Sequence, residues 1–182
     1  MPTLEIIRHR AAICGYVRDA KSGAGLAGAS VDIAARGVTA EAAADGFYYF
    51  LDLPDGAYTL HAAVPALGTR YADVTVAAVT VATGTSGAPS LDPRGNLALS
   101  PTRLTGQVKA SGSLAPVARA EVRLRAAAVK TLSDAAGQYA LSAVEAGEQT
   151  VQVSASGFAA LSQRVTLQAG QEAVADFTLT PG

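Results

Sequence analysis

Two histidines, one cysteine, one asparagine and a scatter of aspartates are the residues of this chain whose types could do chemistry. A single cysteine, Cys14, excludes an intramolecular disulfide, and with His9 and His61 it falls short of the four ligands of an N/S zinc site. Asp45, Asp52 and Asp55 could offer oxygens to Ca²⁺, which takes six to eight, but each lies within two residues of Gly or Pro and reads as a turn-forming aspartate. A Lys–Asn isopeptide would need a lysine on an opening strand and an asparagine on a closing one. The only asparagine, Asn96, belongs to a segment whose opening strand carries Arg18, which excludes that cross-link. No base or acid is placed to activate Cys14, which reads as a small buried apolar residue or a chance thiol under the N-terminal arm. His61 reads as a solvated strand residue. These residue types in this arrangement predict no catalytic residue, no metal site and no cofactor, and an enzyme is not expected.

Those residues are carried by a repeat. Ile13-Cys14-Gly15-Tyr16-Val17 aligns with Leu104-Thr105-Gly106-Gln107-Val108 at an offset of 91. The same offset takes Ala29 and Val31 to Ala120 and Val122, Gly46 and Tyr48 to Gly137 and Tyr139, and Gly56 to Gly147. It also takes Val74-Thr75-Val76 to Val165-Thr166-Leu167. At the ends, Leu97-Ala98-Leu99 matches Phe177-Thr178-Leu179 at an offset of 80, so the first copy has 91 − 80 = 11 extra residues. They are expected within 77–95, whose Gly, Ser and Pro suggest a long loop or an added hairpin. The domains are placed at 13–102 and 103–182, with 1–12 as an N-terminal arm.

Each copy is a series of short segments alternating apolar and polar residues between Gly, Pro and Asp. This predicts an all-β fold of six or seven strands per copy in a two-sheet sandwich. Glu121-Val122-Arg123-Leu124-Arg125 shows the alternation, with Val122 and Leu124 inward. The alanine runs at 42–44 and 126–128 are too short to stand as helices. Asp45-Gly46 is a hairpin-turn signal. Strand parity puts Tyr58 inward, with its hydroxyl bonded to a nearby turn, and His61 outward.

Gly15 and Val17, the run Asp45-Gly46-Phe47-Tyr48, and the segment from Pro54 to Leu60 together resemble the carboxypeptidase regulatory-like domain, a transthyretin-like or prealbumin-like sandwich. The second copy keeps Leu104-Thr105-Gly106-Gln107-Val108 but has Gln149 where the family usually has Tyr. The resemblance implies two tandem sandwiches and leaves function open, because such modules serve as accessory, adhesive and spacer units. Sandwiches of this kind that hydrolyse ureides rely on clustered His and Arg and a C-terminal Tyr-Arg-Gly-Ser. This chain instead ends Thr180-Pro181-Gly182.

The second copy is a control for the first. Cys14, Tyr16, Phe47 and Tyr49 stand where it has Thr105, Gln107, Gln138 and Ala140, which places the four on outward faces. With His61 they are the candidate interaction surface, covered either by the arm with Leu4, Ile6 and Ile7, the inserted loop or the neighbouring domain, or by a partner. Composition narrows the partner. With 14 Lys plus Arg against 15 Asp plus Glu, neither nucleic acid nor an anionic membrane is recruited by charge. Arg119, Arg123, Arg125 and Lys130 form only a modest basic face beyond residue 103. Zero Trp and 5% aromatic residues count against glycan stacking, and Phe47 and Tyr49 are what keep it as an alternative. The expected function is a non-catalytic structural or interaction protein working through a protein partner or self-association. The absence of a leader or an apolar span implies no membrane insertion and a cytoplasmic site, or a cytoplasmically assembled particle such as a contractile phage-tail-like injection or secretion machine. The alternative is a surface adhesin or carbohydrate-binding accessory module, extracellular after removal of an export signal.

Overall fold

The computed structural model describes residues 9–83, 89–127 and 129–182. Alternation sets its strands. β1 (Ala11–Asp19), β2 (Ser30–Ile33), β3 (Val38–Glu41), β4 (Phe47–Leu51), β5 (Gly56–Ala63), β6 (Val74–Thr83), β7 (Pro89–Ser90) and β8 (Leu97–Leu99) come from the first copy. β9 (Arg103–Ala110), β10 (Glu121–Leu124), β11 (Lys130–Leu132), β12 (Gln138–Ser142), β13 (Gly147–Ser154), β14 (Leu161–Leu167), β15 (Glu172–Val174) and β16 (Phe177–Leu179) come from the second. Each copy thus has eight short strands among the described residues. The only helical pieces there are 3₁₀ turns at Ala34–Arg36, Pro65–Arg70 and Pro93–Gly95.

The chain folds into two units: the first runs through Ala66 and resumes at Asp73–Leu99, and the second combines Leu67–Ala72 with Ser100–Gly182. In the first, sheet β4–β1–β8 faces sheet β3–β2–β5–β6–β7. Ile13, Val17, Tyr48 and Phe50 from one sheet bury against Val31, Ile33, Tyr58, Leu60, Val79 and Val81 from the other. In the second, β12–β9–β15, with β16 continuing along β9, faces β11–β10–β13–β14. Leu104, Val108, Tyr139, Leu141 and Phe177 meet Val122, Leu124, Val151, Val153 and Leu167 there. Opening and closing strands run parallel in both units.

The repeated glycine and tyrosine motifs are explained by one crossing. A Cβ on Gly15 would lie 2.1 Å from the Gly95 carbonyl oxygen, and one on Gly106 would lie 1.9 Å from that of Ala175. In each unit the opening strand passes so close to the closing segment that only glycine fits. The same carbonyl accepts a buried tyrosine hydroxyl at 2.6 Å, from Tyr48 in the first unit and Tyr139 in the second. Burial pushes both phenols above their ordinary pKa.

Three expectations change. Asp45-Gly46 does not close a hairpin, because β3 pairs with β2 while β4 pairs with β1. The turn carries the chain from one sheet to the other. Gly46, at φ +85°, is required because a Cβ would meet the Val17 carbonyl oxygen at 2.3 Å. Second, Gly56 pairs with Val81 and Gly147 with Leu167, so the counterpart of Val165-Thr166-Leu167 is Val79-Thr80-Val81, not Val74-Thr75-Val76. The offset there is 167 − 81 = 86, so 91 − 86 = 5 of the extra residues come before this point, in the β5–β6 connection and a bulge at Ala78, whose φ is +57°. Third, each copy has eight strands among the described residues rather than six or seven, and in the first these include the added hairpin the sequence suggested, with β7 pairing along the end of β6. Residues 84–88 lie outside the described residues, as do Leu4, Ile6 and Ile7 of the arm. Ala11 and Ala12 already belong to β1.

Candidate functional site

Antiparallel pairing brings four of the five candidate residues together. Cys14 lies directly opposite Tyr49 and Tyr16 opposite Phe47 across β1 and β4. All four share the outer face of the β4–β1–β8 sheet, because their neighbours Ile13, Val17, Tyr48 and Phe50 face the core. The Tyr16 and Phe47 rings meet edge-on with centroids 5.4 Å apart, and Phe47 and Tyr49 lie 6.1 Å apart. The Arg18 guanidinium lies over Tyr16, 4.6 Å from its centroid. Cys14, Tyr16 and Phe47 are half-buried within the cluster, and Tyr49 is 53% exposed.

A fifth member was not among the residues singled out from the sequence. Leu51 follows Phe47 and Tyr49 on the same face of β4 and is 42% exposed. Its signal was present, since Ser142 occupies the matching position of the second copy at the same offset. The matching face of β12 and β9 carries Gln138, Ala140, Ser142, Thr105 and Gln107, and Gln107 donates an amide hydrogen to the Ala136 carbonyl.

His61 does not belong to this surface. It lies on β5 in the opposite sheet, with Nδ1 3.0 Å from Asp32 Oδ1 and Nε2 3.7 Å from Asp73 Oδ2. It is held between two carboxylates rather than simply solvated. The counterpart of Asp32 is Arg123, which bonds Gln152, so the pair at this position changed together between the two copies.

The aspartates tie strands and turns. Asp45 Oδ1 accepts the Phe47 N–H at 3.0 Å. Asp52 accepts the Arg10 N–H at 2.8 Å and bonds His9, which holds its carboxyl below the usual range. Asp55 accepts the N–H and hydroxyl of Thr83 at the end of β6. Among the described residues no group of three His, Cys, Asp or Glu side chains could hold a metal ion. Tyr58 is buried, with its hydroxyl donating to the Pro54 carbonyl at 2.7 Å, as its parity predicted. Gln149, its counterpart, does the same work with an amide, donating to the Glu145 carbonyl four residues back. Asn96 Oδ1 accepts the Tyr16 N–H at 3.2 Å, just as Asp176 Oδ1 accepts the Gln107 N–H at 2.8 Å. Both side chains stand in for a strand partner where the closing segment breaks from the ladder.

Two β-sandwiches of prealbumin type, repeated in tandem, define the class. Residues 12–88 and 103–180 match the carboxypeptidase regulatory-like domain, and the chain belongs to that family in two consecutive copies. No curated protein matches the sequence. Among solved structures, the chain is similar to the shaft pilin SpaA of Lactobacillus rhamnosus GG, at 11% identity over 96% of this chain and 98% of that one, TM-score 0.49. It is also similar to GBS52, the minor pilin of Streptococcus agalactiae, at 12% identity over 93% and 95%, TM-score 0.39. A third is a chain of a type II cohesin–X-dockerin complex from Acetivibrio cellulolyticus, at 18% identity over 44% of this chain, TM-score 0.39, and the match spans 58% of that chain's length. Among the described residues no helix is long and apolar enough to cross a membrane.

Proposed function

We propose that this chain is a non-catalytic assembly module that docks a protein partner, or another copy of itself, through the outer face of the β4–β1–β8 sheet. The observation that carries the reading is the contiguity of Tyr16, Phe47, Tyr49 and Leu51 on one solvent-facing surface, where the second unit has Gln107, Gln138, Ala140 and Ser142. A sandwich of the same family thus forms without these rings, so folding does not require them. Contiguous apolar surface at an interface core supplies burial, and aromatic side chains are enriched there. A finer setting for this module is a subunit of a contractile phage-tail-like injection or secretion particle. The face suits a surface adhesin as well as a particle subunit.

The test is the triple variant Tyr16→Gln, Phe47→Gln, Tyr49→Ala, which copies the second unit's residues onto the first. The intact chain is expected to form a defined oligomer or to retain a stoichiometric protein partner, and the variant to lose that association while keeping its fold. Unchanged association would sink the reading. Oligosaccharide binding by a monomer, abolished by the same variant, would replace it with the carbohydrate-binding alternative.

A further inference from the structure

The strand that carries the aromatic face is also the free edge of its sheet among the described residues, since the order β4–β1–β8 leaves β4 with a partner there on one side only. Main-chain groups of successive residues point to opposite sides of a strand, and the hydrogen bonds of β4 fix which go where. The Gly46 carbonyl accepts from Val17, and the Asp52 N–H donates to Arg10, both toward β1. Phe47 turns the other way, donating to Asp45 Oδ1 and accepting from the Ala43 N–H at 2.8 Å. By alternation the N–H and C=O of Tyr49 and Leu51 lie on the outer edge. Among the described residues no hydrogen bond engages those groups.

Free edges invite pairing and are usually blunted by a charge or a proline. Others in this chain are blunted. β3 ends on Glu41, β11 begins on Lys130, β14 carries Arg164 and β7 begins on Pro89. β12, the counterpart of β4, is uncharged but presents Gln138, Ala140 and Ser142 on its outer face. Among the described strands only β4, reading Phe-Tyr-Tyr-Phe-Leu, combines high β-propensity, no charge, no proline and an exposed apolar row on a free edge.

We propose that β4 pairs antiparallel with β4 of a second copy, joining two β4–β1–β8 sheets into one continuous sheet across a two-fold axis at Phe50. This rests on the reading above that the face is an assembly surface, and it names the partner. With Phe50 on the axis, Tyr49 falls opposite Leu51 of the second copy. The exposed N–H and C=O of both residues then close reciprocal main-chain bonds, and the interface is isologous. On the outer face, Tyr49 of each copy packs against Leu51 of the other, so the two aromatic clusters fuse into one apolar surface. The charge pattern selects a copy of this strand: β4 carries no charged side chain, so pairing it with its own image opposes no like charges along the strand.

The test is light scattering after size exclusion on the full chain from about 1 to about 300 μM, a range that resolves micromolar dimers. It is paired with amide hydrogen exchange at Tyr49 and Leu51. Leu51→Pro keeps an apolar side chain but removes an edge-facing N–H at a position where an edge strand accepts proline. Tyr49→Lys adds a charge to an exposed side chain and guards against a Leu51→Pro variant that fails to fold. The chain is expected to dimerise, with both amides protected only at high concentration. Either variant should weaken the dimer at least about tenfold, and Leu51→Val by no more than about twofold. A monomer throughout, with both amides unprotected, would overturn self-pairing. The face reading would then stand or fall separately, on whether the triple variant loses a protein partner. A dimer that survives Leu51→Pro but is dissolved by Tyr16→Gln with Phe47→Gln would also overturn edge pairing, and would show that the copies stack through the face.

Discussion

Gly15, Tyr48 and Gly95 form the smallest unit on which this fold depends, a three-residue crossing repeated as Gly106, Tyr139 and Ala175. A methyl group at Gly15 has nowhere to go, because the atom it meets is backbone. Gly15→Ala is therefore expected to cost about 3 kcal/mol of unfolding free energy, the upper range for overpacking, read by urea denaturation. Tyr48→Phe leaves the Gly95 carbonyl without its donor and should cost about 1–2 kcal/mol. The raised pKa of Tyr48 has a sign that can be checked. A phenol harder to ionise when folded contributes stability that is complete below the ordinary tyrosine value, about 10, and is lost as pH rises beyond it. The intact chain should therefore lose stability above about pH 10, and Tyr48→Phe should flatten that limb. The repeat marked Gly15 and Tyr48 as paired features, since both recur at one offset. It could not show the carbonyl they share, because Gly95 lies in a segment with no motif of its own. Parity likewise placed Tyr16, Phe47 and Tyr49 outward, but their union on one face and the separation of His61 follow from sheet membership, which parity does not encode.

Sheet membership is also where the elements depart from their sequence signals. Asp45-Gly46 looks like a hairpin because its residue types suit any tight turn, and only the partners of β3 and β4 reveal a corner between sheets. The β6 register was obscured by a sequence that contains Val-Thr-Val twice, at 74–76 and 79–81, so that a gapless offset matched the wrong one. The structure fixes the later run through its pairing with β5 and anchors it with a side chain from outside the strand. Asp92 accepts the Thr80 N–H at 2.7 Å and the Thr80 hydroxyl at 2.8 Å, and it also bonds the Arg94 side chain and N–H. Those donors, Arg94 foremost, hold its carboxyl far below the usual range. A depressed carboxylate pKa gives stability that is present above the unfolded value, about 4, and is lost as pH falls below it. Thermal melts of the intact chain should show an acid decline beginning near pH 4, and Asp92→Asn should lower the melting temperature at neutral pH while making that decline shallower. A decline of the same depth in the variant would assign it to other carboxylates.

On the scale of the whole molecule, the division of the chain in space differs from the division of its repeats. Sequence similarity puts a boundary between the two copies near residue 102, yet the second unit also takes in Leu67–Ala72, from the connection where the first copy carries part of its additional length. Thr102 shows why that segment counts within the second unit. It is fully buried, donates its N–H to the Arg70 carbonyl and its hydroxyl to the Thr69 carbonyl, both at 2.8 Å, and accepts the Gly170 N–H at 2.8 Å. Glu145 adds bonds to the Thr69 N–H and hydroxyl and to Arg70. Thr102→Val preserves the volume but strips a donor from Thr69 and an acceptor from Gly170, and should cost about 1–2 kcal/mol. Thr178→Val, at an exposed strand position of the same unit, should change stability by less than about 0.5 kcal/mol. Denaturation curves of the two variants make the comparison. The same bonds bear on where the second unit can be cut. A fragment starting at Ser100 contains every strand of the second repeat but leaves Thr102 and Glu145 without Thr69 and Arg70. It should unfold at lower urea than the same unit in the full chain, and equal midpoints would show that Leu67–Ala72 contributes nothing to it.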